Sequence, residues 1–242
     1  MDDTRMRCEP LDVEGSFNVR DLGGYKTAGG RITKPRRFLR AGSLYGLTPQ
    51  GRKTLLDAGV RCVLDLRSFQ ELKSHPSAVQ NDDGFDWYHI PMLDYVQSAI
   101  NGSAFSNFPA SMEEMYTGLL EEGAPEFRRV FELFADPRYP GALFHCTAGK
   151  DRTGVTAMLL LALAGVDAET IVEDYSHSER LLAHLHADLP KGFPAYVLWS
   201  KAETMRTVLA HLESRYGGGE AYLAGIGVTP AQRAGILEKF LG

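Results

Sequence analysis

His145-Cys146-Thr147-Ala148-Gly149-Lys150-Asp151-Arg152-Thr153-Gly154 lies between two apolar stretches. Gly141-Ala142-Leu143-Phe144 leads in, and Val155-Thr156-Ala157-Met158-Leu159-Leu160-Leu161 leads out. That order predicts a strand, a tight glycine-containing loop and a helix. A loop entering a helix N-terminus turns backbone N–H groups inward and adds the positive end of the helix dipole. The expected product is a cradle for a tetrahedral oxyanion. Thr147, Ala148, Gly149 and Lys150 line it, and the Cys146 sulfur forms its floor.

The residue types then dictate a chemistry. Thiolate is the attacking form of cysteine, and a helix N-terminus with nearby cations favours it. Attack on phosphorus gives a phosphocysteine and splits hydrolysis into two easier steps. Arg152, six positions after Cys146, offers two oxygens of the phosphate a planar fork that lysine cannot match. Stabilisation of the transition state is then mainly electrostatic, from Arg152 and the loop amides. Thr153 is expected to set its hydroxyl near the sulfur and help expel it in the second step. Thiolate and guanidinium supply nucleophile and charge, so neither a metal nor a cofactor is called for.

The leaving oxygen needs a proton, and three carboxyls are candidates. Asp151 lies inside the loop, where a phosphate dianion favours a protonated neighbour. Asp94 follows a probable strand in His89-Ile90-Pro91-Met92-Leu93-Asp94, and Asp65 ends another in Leu64-Asp65-Leu66-Arg67. Asp65 also reads as an ion-pair partner that orients Arg152 or Arg67. Asp151 leads, and the other two stay open.

Competing readings are weaker. A cysteine before a helix is often a small core residue, but three charges in one turn are costly to bury without a ligand or partners. A nucleotide loop of the Walker type is a poor match, because Gly149-Lys150 is followed by Asp151 and no glycine stands five before Gly149. A phosphate-reading module without turnover leaves Cys146 and the carboxyls unexplained. Sulfur transfer from a persulfide, as in rhodanese-like domains, does not explain the Cys146-to-Arg152 spacing or Asp151.

The stretch resembles the Cys-x5-Arg loop of protein tyrosine phosphatases. More narrowly, it is similar to a bacterial tyrosine phosphatase family that also hydrolyses phosphoserine, phosphothreonine and phosphoinositides. Phe17-Asn18-Val19-Arg20-Asp21-Leu22-Gly23-Gly24-Tyr25, Phe38-Leu39-Arg40-Ala41-Gly42-Ser43-Leu44, Leu64-Asp65-Leu66-Arg67-Ser68, Gly165-Val166 and Asp174-Tyr175 follow in the family order. The resemblance implies Cys146 as nucleophile, Arg152 as phosphate clamp and Asp151 as general acid. It implies that Lys150 contacts a second phosphate or the inositol ring of a phosphoinositide. It further implies an α/β fold of the tyrosine phosphatase kind, a mostly parallel central sheet flanked by helices, with residues 1–242 as one domain. Family members often carry a helical lid. The matching segment here, about 96–110, is rich in Ser, Asn, Gly and Phe with weak helical periodicity. It reads as a loop or mobile cover, in which Phe105 and Phe108 either shield substrate or pin the loop.

Composition sets the frame. The 242 residues are 44% hydrophobic and 24% charged, as in an ordinary globule with a full core. A net charge of −5 gives no sign of general nucleic-acid binding. Arg31, Lys34, Arg36, Arg37 and Arg40 form a local basic cluster, either a solvated loop or an attraction for anionic substrate and lipid headgroups. Three spread cysteines make neither a disulfide framework nor a metal site. Cys62 reads as core, or less readily as a trap for oxidised Cys146. No apolar run approaches the ~20 residues of a bilayer span. Met1-Asp2-Asp3-Thr4-Arg5 carries no apolar signal region. The expected compartment is the cytoplasm, with export lacking a cleavable signal as the alternative.

Strands are predicted near 37–41, 61–66, 87–90 and 142–145, interleaved with helices, which favours a largely parallel sheet. Ligands sit beyond the carboxyl ends of such strands, so Asp65, Asp94 and Cys146 should share one rim. Thr48-Pro49 starts a capped helix closed by Gly59. Ser68-Phe69-Gln70-Glu71 and Ser111-Met112-Glu113-Glu114 fit capping boxes. Further helices are expected over 168–175, 179–189, 196–216 and 231–241, with Gly217-Gly218-Gly219 as a flexible hinge. His184 and His186, two apart, face different sides of a helix and read as surface or packing residues.

Overall fold

The computed structural model describes residues 10–92, 109–183 and 195–242. Asp94, Phe105, Phe108, most of the 96–110 segment, His184 and His186 lie outside the described residues.

Five strands form one sheet: β1 Arg20–Asp21, β2 Phe38–Ala41, β3 Cys62–Asp65, β4 Asp86–His89 and β5 Ala142–His145. Their order is β1-β2-β5-β3-β4, with β1 antiparallel at one edge and the rest parallel. β5 occupies exactly the residues expected, and β2, β3 and β4 fall within one residue at each end. β1 was not anticipated, because two charged residues carry no apolar alternation.

Alternate residues of the inner strands face opposite ways. Phe38, Leu64 and Phe144 enter the larger core, while Leu39, Ala41, Val63 and Leu143 enter a smaller one. The smaller core is closed by Leu55 of α1 Pro49–Asp57. Thr48 caps that helix and Pro49 opens it, as the sequence implies. The larger core is built with α3 Met112–Glu122, α4 Ala124–Ala135, α5 Arg152–Leu163, α6 Ala168–Leu181 and α7 Ala202–Tyr216. The short α2, Phe69–Ser74, follows β3 and carries the full Ser68–Glu71 capping box. α5 is buried on every side, which explains its almost unbroken apolar run.

Four expectations are corrected. Residues 168–181 form one continuous helix rather than a helix ending at 175. The helix expected over 196–216 is broken: Ala195–Leu198 is a 3-10 turn and α7 starts only at Ala202. Gly217-Gly218-Gly219 is a locked joint rather than a hinge. Gly217 caps α7 in the left-handed region at φ 79°, and Gly218 N–H reaches back to Leu212 O. Gly219 starts α8 Gly219–Gly225 against Ala162, where a Cβ would lie 2.7 Å from the Ala162 Cβ. Cys62 cannot trap Cys146. The register sets Cys62 beside Ala142, four residues before Cys146 and so about 13 Å along the strand, whereas a disulfide needs Cα atoms within ~7 Å. Burial above all, with Asp86 and Asp136 adding to it, pushes the Cys62 thiol up to about 12.

The basic cluster does not form one surface patch. Arg40 is wholly buried. Arg31 donates to the carbonyls of Leu241 and Gly242, and Lys34 donates to that of Glu238, closing the end of α9 Pro230–Phe240. Arg36 and Arg37 precede β2, at the end of the parallel strands opposite Cys146. Among the described residues, no helix is long and apolar enough to cross a membrane.

Candidate active site

The quoted loop leaves the carboxyl end of the central strand β5 and enters α5. Gly149 makes this path feasible. Its φ is +66°, and a Cβ there would meet Ala41 O at 2.3 Å, so the loop packs directly on β2. Cys146 is 1% exposed at the base of the loop.

The loop carbonyls are drawn outward. Thr147 O accepts from Ser43 N–H at 2.9 Å. Asn18 Nδ2 donates to Ala148 O and Gly149 O, each at 3.0 Å. Arg40 Nη2 donates to Gly149 O at 2.8 Å. The amides of Thr147 to Asp151, by contrast, donate to no group among the described residues. Carbonyls tied outside and amides left for the inside make a polarised bowl.

Behind the bowl stands a buried charge cluster. Asp174 accepts from Arg20 Nε at 2.9 Å and from Arg40 Nη1 at 2.5 Å. Arg20 also donates to Asn18 Oδ1 at 2.5 Å and to Ser178 Oγ at 3.0 Å. Burial works to raise the Asp174 carboxyl, but Arg20 and Arg40 outweigh it and hold it at about 2. Burial and Arg20 together lower Arg40. Asn18 adopts φ 54°, a conformation asparagine tolerates better than most residues. Arg20 and Asp174 carried no role in the sequence beyond family order, and Arg40 was read only as part of the basic cluster; the fold brings the three together.

In front of the bowl is a second cluster. Arg152 opens α5 and donates Nη1 and Nη2 to Glu71 Oε2 and Oε1 at 2.7 and 2.9 Å. Thr147 Oγ1 also donates to Glu71. Glu71 thereby fixes the plane of the guanidinium, and Nη1 adds a bond to Leu66 O at 3.3 Å. The partner that orients Arg152 is Glu71, not Asp65. The sequence marked Glu71 only as a capping-box residue, and that capping is real: its Oε2 accepts from Ser68 N–H at 2.7 Å.

Asp65 belongs to Arg67. Its oxygens accept from Arg67 N, Nε and Nη2 at 2.7–3.2 Å, and it is 0% exposed. Burial works to raise it, but His145 and the Arg67 bonds prevail and lower it. His145, 3.5 Å away, is lowered chiefly by burial.

Asp151 lies at the mouth of the loop. Its Oδ1 accepts from Tyr116 Oη at 2.7 Å and lies 3.2 Å from Lys150 Nζ. Lys150 does not project into open space. It is 2% exposed, and its ammonium donates to Val197 O and to Trp199 O, the latter at 3.2 Å. A buried ammonium needs such acceptors, and these carbonyls are freed where the helix expected over 196–216 breaks. Thr153 is 0% exposed, and its hydroxyl has no hydrogen-bond partner among the described residues.

A model of the tyrosine phosphatase family matches residues 11–242. The chain is 35% identical to a tyrosine-protein phosphatase of Nostoc commune over 210 residues, 79% of this chain and 70% of that one. It is 28% identical to the triple specificity protein phosphatase PtpB of Mycobacterium tuberculosis over 269 residues, 91% of this chain and 95% of that one. The crystal structure of P. aeruginosa TpbA aligns with TM-score 0.36 and 14% identity over 81% of this chain and 89% of that one, too distant to bear on the reading. With a family match over nearly its whole length and relatives that are phosphatases by name, the chain belongs to the tyrosine phosphatase family.

Proposed function

We propose that residues 1–242 act as one domain that hydrolyses phosphate monoesters through a phosphocysteine on Cys146. The observation that carries the reading is the polarity of the loop: carbonyls bonded by Asn18, Arg40 and Ser43, amides without acceptors among the described residues, and a buried sulfur at the loop's base. The Cys146 thiolate attacks phosphorus, and the P–O bond to the leaving group breaks. The leaving oxygen takes its proton from the Asp151 carboxyl, which becomes carboxylate. Arg152 and the loop amides hold the oxygens of the transition state. Asp151 then takes a proton from water as that water attacks the phosphocysteine, and the Thr153 hydroxyl donates a hydrogen bond to the departing sulfur.

The substrate we assign is phosphotyrosine, extended to phosphoserine, phosphothreonine and phosphoinositides. The relative named for triple specificity supports that breadth. Lys150 reaches a second phosphate only by leaving the Val197 and Trp199 carbonyls. We assign the cytoplasm as compartment, where a reducing thiol pool would keep the Cys146 sulfur available as nucleophile.

The test is hydrolysis of p-nitrophenyl phosphate without added metal, blocked by vanadate. Cys146→Ser should lower kcat at least ~10⁴-fold while the protein still binds phosphate, since the nucleophile carries the covalent step. Retained turnover in Cys146→Ser would discard the phosphocysteine.

A further inference from the structure

The groups around Asp151 are arranged unequally about its two oxygens. Tyr116 Oη and Lys150 Nζ both approach Oδ1, at 2.7 and 3.2 Å. Among the described residues nothing is bonded to Oδ2. Tyr116 comes from α3, is 0% exposed, and meets Tyr175 of α6 at 2.8 Å, oxygen to oxygen. The Tyr116 hydroxyl has one hydrogen, and it goes to Asp151. Tyr175 is therefore the donor in the tyrosine pair at 2.8 Å, a far shorter contact than its 3.5 Å to Trp199 O, giving a directed chain from Tyr175 through Tyr116 to Asp151. The two rings pack edge to face at 5.8 Å and 89°. Burial first, and Asp151 second, push both phenols well up, so both stay O–H donors. Donors in series polarise one another and strengthen the last bond.

We propose that Tyr116 is a positioning residue for the acid step: it holds Oδ1 of Asp151, so that the transferable proton resides on Oδ2, facing the leaving group. A carboxyl free to rotate would present either oxygen, and half of its orientations would carry the proton away from the substrate. Tyr116 and Tyr175 are 0% and 1% exposed, and no bond joins either to Cys146 among the described residues. The proposal rests on the reading of Asp151 as general acid.

The experiment uses the full chain and two substrates, p-nitrophenyl phosphate with a good leaving group and phenyl phosphate with a poor one. Tyr116→Phe keeps the ring and removes the donor. It should lower kcat for phenyl phosphate about tenfold, a fraction of the ~10²–10⁴ typical of general acid catalysis, and for p-nitrophenyl phosphate by about twofold or less. KM and inhibition by vanadate should stay unchanged. In an Asp151→Asn background, Tyr116→Phe should add nothing, since its effect passes through that carboxyl. Tyr175→Phe, one bond further away, should show the same pattern more weakly; it serves as the second variant if Tyr116→Phe lowers stability. Equal loss on both substrates, or an undiminished loss in the Asp151→Asn background, would overturn the positioning role. If Asp151→Asn is itself indifferent to the leaving group, the acid assignment falls and the proposal with it. If Asp151→Asn is sensitive and Tyr116→Phe is not, only the positioning role is lost.

Discussion

The two ion-pair clusters flanking the catalytic loop use similar residues for different ends. Behind it, Arg20, Asp174 and Arg40 are at most 2% exposed, and the cluster grips backbone: Arg40 takes Gly149 O, while Arg20 steadies the Asn18 amide that takes Ala148 O and Gly149 O. In front, Glu71 and Arg152 lie nearer solvent, at 9% and 7%, and the pair presents a side chain. The rear cluster therefore shapes the bowl, and the front pair aims the charge at its opening. Damage behind should appear in stability and in oxyanion affinity together. Damage in front should appear in turnover, with the fold nearly intact.

The sharpest way to break this contrast is Asp174→Asn. It leaves two buried guanidinium groups without a counter-charge and should cost about 3–5 kcal/mol in urea unfolding, as expected when one partner of a buried pair is lost. The pH dependence gives a second view. Asp174 is held below the ordinary carboxylate range, at about 2. Its contribution is thus fully present above about pH 4, the unfolded value, and is lost as pH falls toward 2. The urea midpoint of the wild-type phosphatase should drop through that window, and the Asp174→Asn curve should be flatter there. Equal slopes would remove the rear cluster from the account.

Glu71→Gln probes the front. Glutamine keeps an acceptor for the Ser68 N–H cap but loses the charge that fixes Arg152. We expect kcat/KM to fall about 100-fold, the scale of a small misplacement of a catalytic group, with unfolding free energy changed by about 1 kcal/mol. A stability loss as large as that of Asp174→Asn would erase the distinction between the two sides. Asn18→Gly is the mildest break. Glycine accepts the positive φ of 54° without strain, so the change removes side-chain bonds alone: those to Ala148 O and Gly149 O, the one that Oδ1 accepts from Arg20, and the 3.5 Å contact to Ser178 Oγ. Vanadate affinity should weaken about tenfold, in keeping with the ~1 kcal/mol typical of a hydrogen bond, and Asp151-dependent leaving-group sensitivity should be unchanged.

The sequence revealed the front of this site far better than the rear. Cys146, Asp151 and Arg152 lie within seven residues, and the apolar runs on either side identify the strand and helix that carry them. Four parallel strands were legible for the same reason, as short apolar segments. Asp174 lies 134 residues from Arg40 and 154 from Arg20, and no local pattern joins them. Glu71 was half legible, since Ser-x-x-Glu announces a cap but not that the same carboxylate continues to Arg152. The break before Ala202 was hidden by an amphipathic pattern that runs through it. Tertiary demand overrides that pattern: Ser200 N–H goes to Glu179 at 2.6 Å, and the neighbouring carbonyls turn to Lys150.

That break has a consequence for selectivity. The Val197 and Trp199 carbonyls already satisfy the Lys150 ammonium, and Tyr196 joins the same short stretch to Pro109 O at 2.5 Å. If Lys150 is to meet a second phosphate, as proposed above, a molecule bearing several phosphates must compete with dipoles aligned in advance. On that proposal, preference between singly and multiply charged esters becomes an exchange reaction, in which the readiness of residues 195–199 to let go counts alongside the strength of the incoming anion.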